Sequence, residues 1–429
     1  MTRALFVVAA VWASVFALPV TVLASVDHTA TLSASKSEQP PALDVLASGG
    51  AQNALKATDF FNYSSRVPAK FATTAYFTYD DKNIYVAFSC AQAGIPIVAS
   101  QNIDHAGVIS DDHVIFLLDT SGNGSRIYEF RVSPKGIHDE TSTENARYAP
   151  EWQSSATIDK AGNYQVTMVI PLTALRSENA PEQHWRMNFG RLIASTSDVY
   201  TWAYEPSQND IHLSQYWPLV NGIKIAASAA RPRARADIYA LGSGGSDYNQ
   251  FQNGIGTFST MKPRHFGVDV AYPLTNTLSL VGTLNPDFSN VEQDQTTIAP
   301  QEFQRNYTEY RPFFAEGAQY INAVPSAGLN GIADTLFYTP SIGVFNRGLK
   351  MEGTQGNNAL GVLNVTGAGF DDSAFGYQHN RSDHTLTLSA EGVLANHTGV
   401  RDETFAVALN RNNPRNGEFT IAKLESDTG

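Results

Sequence analysis

From Arg264 onward the chain repeats a pattern that suits a sheet with two very different faces. RHFGVDVAY, residues 264–272, puts Phe266, Val268, Val270 and Tyr272 on one side and Gly267, Asp269 and Ala271 on the other, because successive strand side chains point to opposite faces. TLSLVGTL sets Leu278, Leu280, Gly282 and Leu284 against Ser279, Val281 and Thr283. TLTLSAEGVL sets Leu386, Leu388 and Ala390 against Thr387, Ser389 and Glu391, and TFAVALNR sets Phe405, Val407 and Leu409 against Thr404, Ala406 and Asn410. Any half-buried strand alternates. Recurrence in segments of about ten residues, with Gly/Asn/Asp turns between them, is the pattern of a transmembrane β-barrel. The expectation for residues 229–429 is therefore an antiparallel transmembrane β-barrel.

The first residues, MTRALFVVAAVWASVFALPVTVLAS, carry a positive charge at Arg3, an apolar run broken at Pro19, and the small-residue stretch Val22-Leu23-Ala24. This is the layout of a secretory signal peptide over residues 1–24. No later run reaches the roughly 20 apolar residues of a helical span, so membrane insertion would have to use strands. The single Cys90 excludes an internal disulfide and fits a buried strand position. A net charge of −12 without clustered Lys/Arg argues against a nucleic-acid partner, and none is expected.

Residues 25–70 read as an extended Ala/Ser/Pro-rich leader followed by the first sandwich elements. In TAYFTYDDKNIYVAFSC, Ala75, Phe77 and Tyr79 alternate, Asp80-Asp81-Lys82-Asn83 turns, and Ile84, Val86, Phe88 and Cys90 alternate again. HVIFLLDTSGNGSRIYEFRVSP repeats the form around Ser121-Gly122-Asn123-Gly124. Short strands at close spacing predict a β-sandwich over residues 71–228, so the chain as a whole is expected to be all-β.

The order TTAYFTYDDKNIYVAFSC, SDDHVIFLLDT, YEFRVSPKGIHDE, EWQSSATIDKAGNYQVTMVIPLTAL and MNFGRLI resembles the carbohydrate-binding module family 9-like domain. The resemblance implies a sandwich that holds a terminal sugar between two aromatic rings, with polar side chains on its hydroxyls. Arg131 matches a hydroxyl-contacting arginine of that family. The clamp positions hold Val108-Ile109-Ser110 and the neighbourhood of Asp210, without an aromatic match, and Ile115 stands where a glutamate is expected. Trp152, Trp202 and Trp217 could build an alternative sugar platform, with Trp152 and Trp202 kept with Arg131 as candidate binding residues; a Trp in a sandwich is more often core.

NPDFSNVEQDQTTIAPQEFQRNYTEYRPFFAEGAQYI, residues 285–321, is far longer than an ordinary connection between strands. Its aromatics and charges, with Tyr310, Arg311, Phe313, Phe314 and Glu316 at the centre, predict an ordered element, either a plug inside the barrel or a folded rim loop. NPDFSNVEQD followed by RPFFAEG resembles the signature of an uncharacterised bacterial outer-membrane β-barrel family, in which it follows a family 9-like domain. That resemblance implies export, outer-membrane lipid as a partner, and an N-terminal domain in the periplasm or barrel lumen. The closing TIAKLESDTG lacks the terminal aromatic of such barrels, so the sequence is expected to stop within an incomplete barrel.

Enzyme signatures are absent: there is no GxSxG, HExxH, P-loop or Cys-based metal motif. A glycosidic-bond hydrolase enters only by family association. His105 and His113 lie near Asp104, Asp111 and Asp112 without a recurring ligand spacing, so no metal ligands are assigned. No cofactor is expected; Asp111, Asp112 and Asp119 offer the oxygen donors calcium takes, without EF-hand spacing. The functional expectation is an outer-membrane protein whose sandwich recognises a glycan or other envelope component, for uptake or anchoring. Two alternatives stand beside it: a secreted soluble carbohydrate-active protein, and a non-binding sandwich that assists barrel assembly.

Overall fold

The computed structural model describes residues 31–51, 53–203, 210–226, 233–242, 245–252, 255–261, 264–286, 309, 311–324, 336–413 and 418–427. The signal-peptide reading, most of NPDFSNVEQD and Tyr310 lie outside these residues. The fold is all-β, with a few short helices.

Two sheets face each other in the N-terminal half. The five-stranded one runs Gln153–Ile158, Tyr164–Pro171, Asn83–Cys90, Thr73–Tyr79 and Leu55–Ala57. Its partner centres on Gln183–Ile193, which pairs with His113–Asp119 on one side and with Asp198–Thr201 and Leu219–Ile223 on the other. It continues through Ile127–Val132 to its edge strand, His138–Ser142. The core is aromatic. Phe116 lies 6.0 Å from Phe77, 6.3 Å from Phe130 and 5.6 Å from Phe189 between ring centroids, and all four are fully buried. Cys90 is a free, buried thiol in this core. The turns form as their residues dictate: the Asp80 carboxylate accepts the Lys82 and Asn83 N–H groups, each at 2.7 Å.

The segment read as an extended leader is partly built into the sandwich. Thr31–Ser33 pairs in parallel with Leu219–Ile223, and the helix Leu43–Ala47 packs Leu46 and Ala47 against Tyr76, Tyr85 and Ala87. Five residues are too few to display a helical period in sequence. The helix covers the outer face of the five-stranded sheet, so Thr73–Tyr79 is buried on both sides.

The second half is a nine-stranded antiparallel sheet from Arg235–Gly242 through Arg264–Pro273, Leu278–Leu284, Phe345–Gln355, Asn358–Gly367, Phe370–Asn380, Leu386–His397 and Val400–Asn413 to Glu418–Asp427. Among the described residues it is not closed: its first and last strands have no partner on their outer edges. The register places Ile238, Phe266, Val270, Tyr272, Leu284, Leu349, Val362, Leu394 and Leu409 on one face, and all nine are exposed. The other face buries Ser279, Thr283, Lys350, Glu352, Thr354, Ser389 and Glu391, together with an apolar patch of Leu363, Val365 and Ala374. Water-soluble sheets put these faces the other way round.

Candidate functional site

Strand parity puts Arg131 on the outer face of the sandwich sheet centred on Gln183–Ile193. Phe130 and Val132 point into the core, so Glu129 and Arg131 point away from it. Across the ladder, Glu129 meets Thr141 and Arg131 meets Asp139 on the edge strand. Arg131 donates through Nε to Glu129 at 2.7 Å and through Nη1 to Asp139 at 3.0 Å. The 210–217 segment adds His212, whose Nε2 lies 3.4 Å from Glu129 and whose Nδ1 lies 2.6 Å from Asp210. Burial alone would raise the Glu129 carboxyl; hydrogen bonding to His212 and the charge of Arg131 outweigh it and hold the group at about 2. Hydrogen bonding to Glu129 raises the His212 imidazole to about 8, against the opposing effect of burial.

The rest of this face is buried and mixed: the Asn188 amide donates to the Thr201 hydroxyl at 2.9 Å beside an apolar group. Ile115 and Leu117 pack with Ile211, Trp217 and Ala203. Ile109 is 67% exposed, an apolar side chain where the family 9-like resemblance expects an aromatic clamp. Arg131, Glu129, Asp139, Thr141, Asp210 and His212 thus form a polar cluster of charged donors and acceptors, suited to hydroxyl groups.

Trp152 and Trp202 do not join it. The Trp152 ring lies 5.2 Å from Phe130 and 4.3 Å from His138, and its indole donates to Glu140 at 2.8 Å, all on the core side of the sheet. Trp202 is half-buried with its ring 5.4 Å from Phe189. The aspartates considered for calcium are engaged by local donors. Asp111 accepts from Ser100 and Gln101, Asp112 from Gln92, Val98 and Ala194, and Asp119 from Ser121, Gly122 and Gly124. His113 is buried and bonds the Asp111 carbonyl, away from His105.

The RPFFAEGAQY segment lies on the buried face of the nine-stranded sheet as two single-turn helices, Pro312–Ala315 and Ala318–Ile321, joined through Gly317 at φ 69°. Phe313, Phe314 and Phe345 form a triangle with centroid distances of 5.2, 5.7 and 5.4 Å. The Arg311 guanidinium sits 4.4 Å from the Phe314 centroid, pairs with Glu309 at 2.8 Å and donates to the Ile342 and Thr339 carbonyls. Glycine makes room for this layer: a Cβ on Gly361 would lie 2.5 Å from the Tyr320 carbonyl oxygen, and one on Gly348 2.6 Å from Phe313.

The same segment holds the sandwich. Glu316 bridges to Asn145 through the backbone and pairs with Arg176 at 2.9 Å, while the Gly317 N–H donates to the Glu144 carbonyl at 2.7 Å. The Glu144 carboxylate accepts from the Tyr320 hydroxyl and from Arg126 Nε at 2.9 Å, and Arg126 also reaches Thr354 on the sheet. Burial opposes the charged forms of Glu144 and Arg126, but each holds the other ionised: the carboxyl is lowered and the guanidinium raised.

Residues 246–343, under a quarter of the chain, match the model of a domain of unknown function, DUF5916. No curated protein matches. Among solved structures, a candidate carbohydrate-binding protein from Bacteroides uniformis is similar at 15% identity and a TM-score of 0.37, over 45% of this chain and 97% of its own. A carbohydrate binding module family 9 from Caldicellulosiruptor kristjanssonii, solved with cellotriose, is similar at 14% identity and a TM-score of 0.32, over 46% and 94%. The same module solved with glucose gives 15% identity and a TM-score of 0.32 over the same shares. Similarity at these scores does not carry a ligand across.

Proposed function

We propose that the chain is an outer-membrane receptor: a sheet that inserts in lipid as part of a β-barrel and carries a sandwich that recognises glycan hydroxyls through the polar cluster around Arg131. The observation that carries the membrane reading is the nine-stranded sheet, which exposes Phe266, Leu284, Leu349, Leu394 and Leu409 and buries Lys350, Glu352 and Glu391. Exposed apolar patches beyond a few hundred Å² mark interaction or membrane surfaces, and strands that alternate apolar-out with polar-in are what a barrel wall requires. Lipid insertion further requires that the strands Arg235–Gly242 and Glu418–Asp427 find partners for their free edges. Arg131 supports the recognition reading, as a planar donor held by two carboxylates next to the His212 imidazole.

Membrane fractionation of the chain expressed in a Gram-negative host tests the first part. The expected product sediments with outer membranes and shifts in gel mobility on heating. Recovery in the soluble periplasm without a heat-sensitive species would end the membrane reading. A glycan array with the wild type and Arg131→Ala tests the second part, with binding expected only in the wild type. A specific observation favours assembly assistance as the second reading for the sandwich: it contacts the 311–321 segment through a buried ion-pair network. That reading predicts no glycan binding by the wild type and loss of barrel assembly when the sandwich is deleted.

A further inference from the structure

Independently of the membrane and glycan readings, a second cluster lies on the core side of the sandwich edge. His138 and Glu140, two residues apart, share a face of the edge strand His138–Ser142. This strand ends its sheet, so His138 has a backbone edge to be covered. The 104–105 turn covers it: the Asp104 carboxylate accepts the His138 N–H at 3.0 Å, and the His105 N–H donates to the His138 carbonyl at 2.9 Å. His105 is held there at φ 61°, a left-handed conformation uncommon for a residue with a side chain. The ring that this turn presents stands 5.0 Å from that of His138, with its Nδ1 2.5 Å from the Glu140 carboxylate.

The Glu140 side chain is only 1% exposed. Arg131 lies on the opposite face of the neighbouring strand and is paired with Glu129 and Asp139. Among the described residues the recorded partners of the Glu140 carboxylate are the Trp152 indole and His105. A buried carboxylate flanked by two imidazoles lacks the permanent positive charge that normally compensates it. The outer contacts are those of a ligand shell: Trp152 fixes one Glu140 oxygen, and Ser154 lies 2.9 Å from His138 Nδ1, leaving Nε2 as the free ring nitrogen.

We propose that His105, His138 and Glu140 form a binding site for a divalent transition-metal ion. Their ligand atoms all lie within 4.8 Å of one another. Tetrahedral zinc, with bonds of about 2.0–2.1 Å, asks for separations of about 3.3 Å. The His105 Nδ1–Glu140 pair, at 2.5 Å, has to open while the wider separations close, and the His105 side chain, 39% exposed, is the member that moves. Two imidazoles and one carboxylate favour zinc, nickel or copper over calcium or magnesium, and three protein ligands leave a fourth position for an external donor. The site would hold the turn onto the sheet edge and offer a place for an external oxygen or nitrogen donor.

The test is calorimetric titration of the full chain in detergent with Zn²⁺, after chelator treatment, and with Ca²⁺ as a control. The expected result is one zinc site per chain, not displaced by excess calcium, and weakened at least about tenfold in each of two variants. Glu140→Gln removes the charge but keeps an acceptor for Trp152. His105→Gly removes one ligand and relieves the positive φ, so it leaves the fold intact. Cobalt supplies a second readout: visible absorption bands of a tetrahedral site in the wild type, lost in His105→Gly. Zinc binding of equal strength in both variants, or no saturable binding by the wild type, would overturn the assignment.

Discussion

Replacing Glu144 with alanine removes the carboxylate at the centre of the joint between sandwich and sheet. Glu144 is buried and accepts from Arg126 and Tyr320. Arg126 is fully buried, so Glu144→Ala leaves its guanidinium without its anionic partner, and Arg176 nearby loses part of its compensation. Breaking a buried pair from one side costs about 3–5 kcal/mol. For a unit the size of the sandwich, with roughly 2–4 °C per kcal/mol, the melting temperature should fall by about 10 °C. The assay is thermal unfolding followed by tryptophan fluorescence, which the buried Trp185 and Trp217 report. The paired variant Arg126→Met/Glu144→Leu discriminates: exchanging a whole buried pair for apolar residues of similar volume is often neutral or stabilising, so it should recover most of the loss. A single variant that melts within about 2 °C of wild type, or a double variant no better than the single, would refute the reasoning that desolvated charge dominates this contact.

The polar cluster around Arg131 should respond to pH in a definite sense. Glu129 is held at about 2 against its ordinary 4.5, so its contribution is complete above pH 4.5 and is lost as pH falls through 2. His212 is raised to about 8 from 6.5, so its contribution is complete below pH 6.5 and is lost as pH rises through 8. The His212 side chain is 45% exposed and screened, which limits its share to about 1 kcal/mol; the stability gap between wild type and His212→Ala should shrink from about pH 6 to about pH 9, and a constant gap counts against the Glu129–His212 pair. Gly361→Val should force the Tyr320 backbone off the sheet at about 1–3 kcal/mol and open the segment to chymotrypsin after Phe314 or Tyr320. Gly282→Ala, whose Cβ would meet only Leu349 at 4.0 Å, is the tolerated control; equal protease resistance in both variants would contradict the close approach. Trp152→Phe keeps the ring contact with Phe130 but leaves Glu140 short of a donor, with an expected loss of about 1–3 kcal/mol in chemical denaturation; a loss below about 0.5 kcal/mol would mean that water replaces the indole.

The strands were readable because period-two alternation is imposed by the backbone, whatever the sheet packs against. Turns were readable where one side chain closes them, as Asp80 does. The pairing of Arg131 with Glu129 is also local, two positions along one strand. The direction of Trp152 was not: its ring turns to the core because Glu140 and His138 lie there, and those belong to another strand. The His105–Glu140 contact spans 35 positions and the Tyr320–Glu144 contact 176. No spacing rule reaches that far, since such contacts depend on which strand ends its sheet and which loop covers the edge. The short helix Leu43–Ala47 was hidden for a different reason, because it is shorter than two helical turns.

The RPFFAEGAQY segment divides into halves that bind by different physics. Phe313 and Phe314 bury apolar surface against Phe345, Leu363 and Val365 of the nine-stranded sheet. That contact is non-directional and needs no partner beyond the sheet. Glu316 and Tyr320 instead reach Arg176 and Glu144 of the sandwich, and charged contacts of this kind are favourable only in close, fully satisfied geometry. The apolar half therefore seats the segment on the sheet, and the polar half then selects one orientation of the sandwich above it. Gly317 lies between the two halves, and its left-handed backbone places the Glu144 carbonyl within reach of its own N–H. A β-carbon there would collide with the Glu352 carboxylate of the sheet, so glycine at this position sets both the turn between the halves and the close seating of the segment on the sheet.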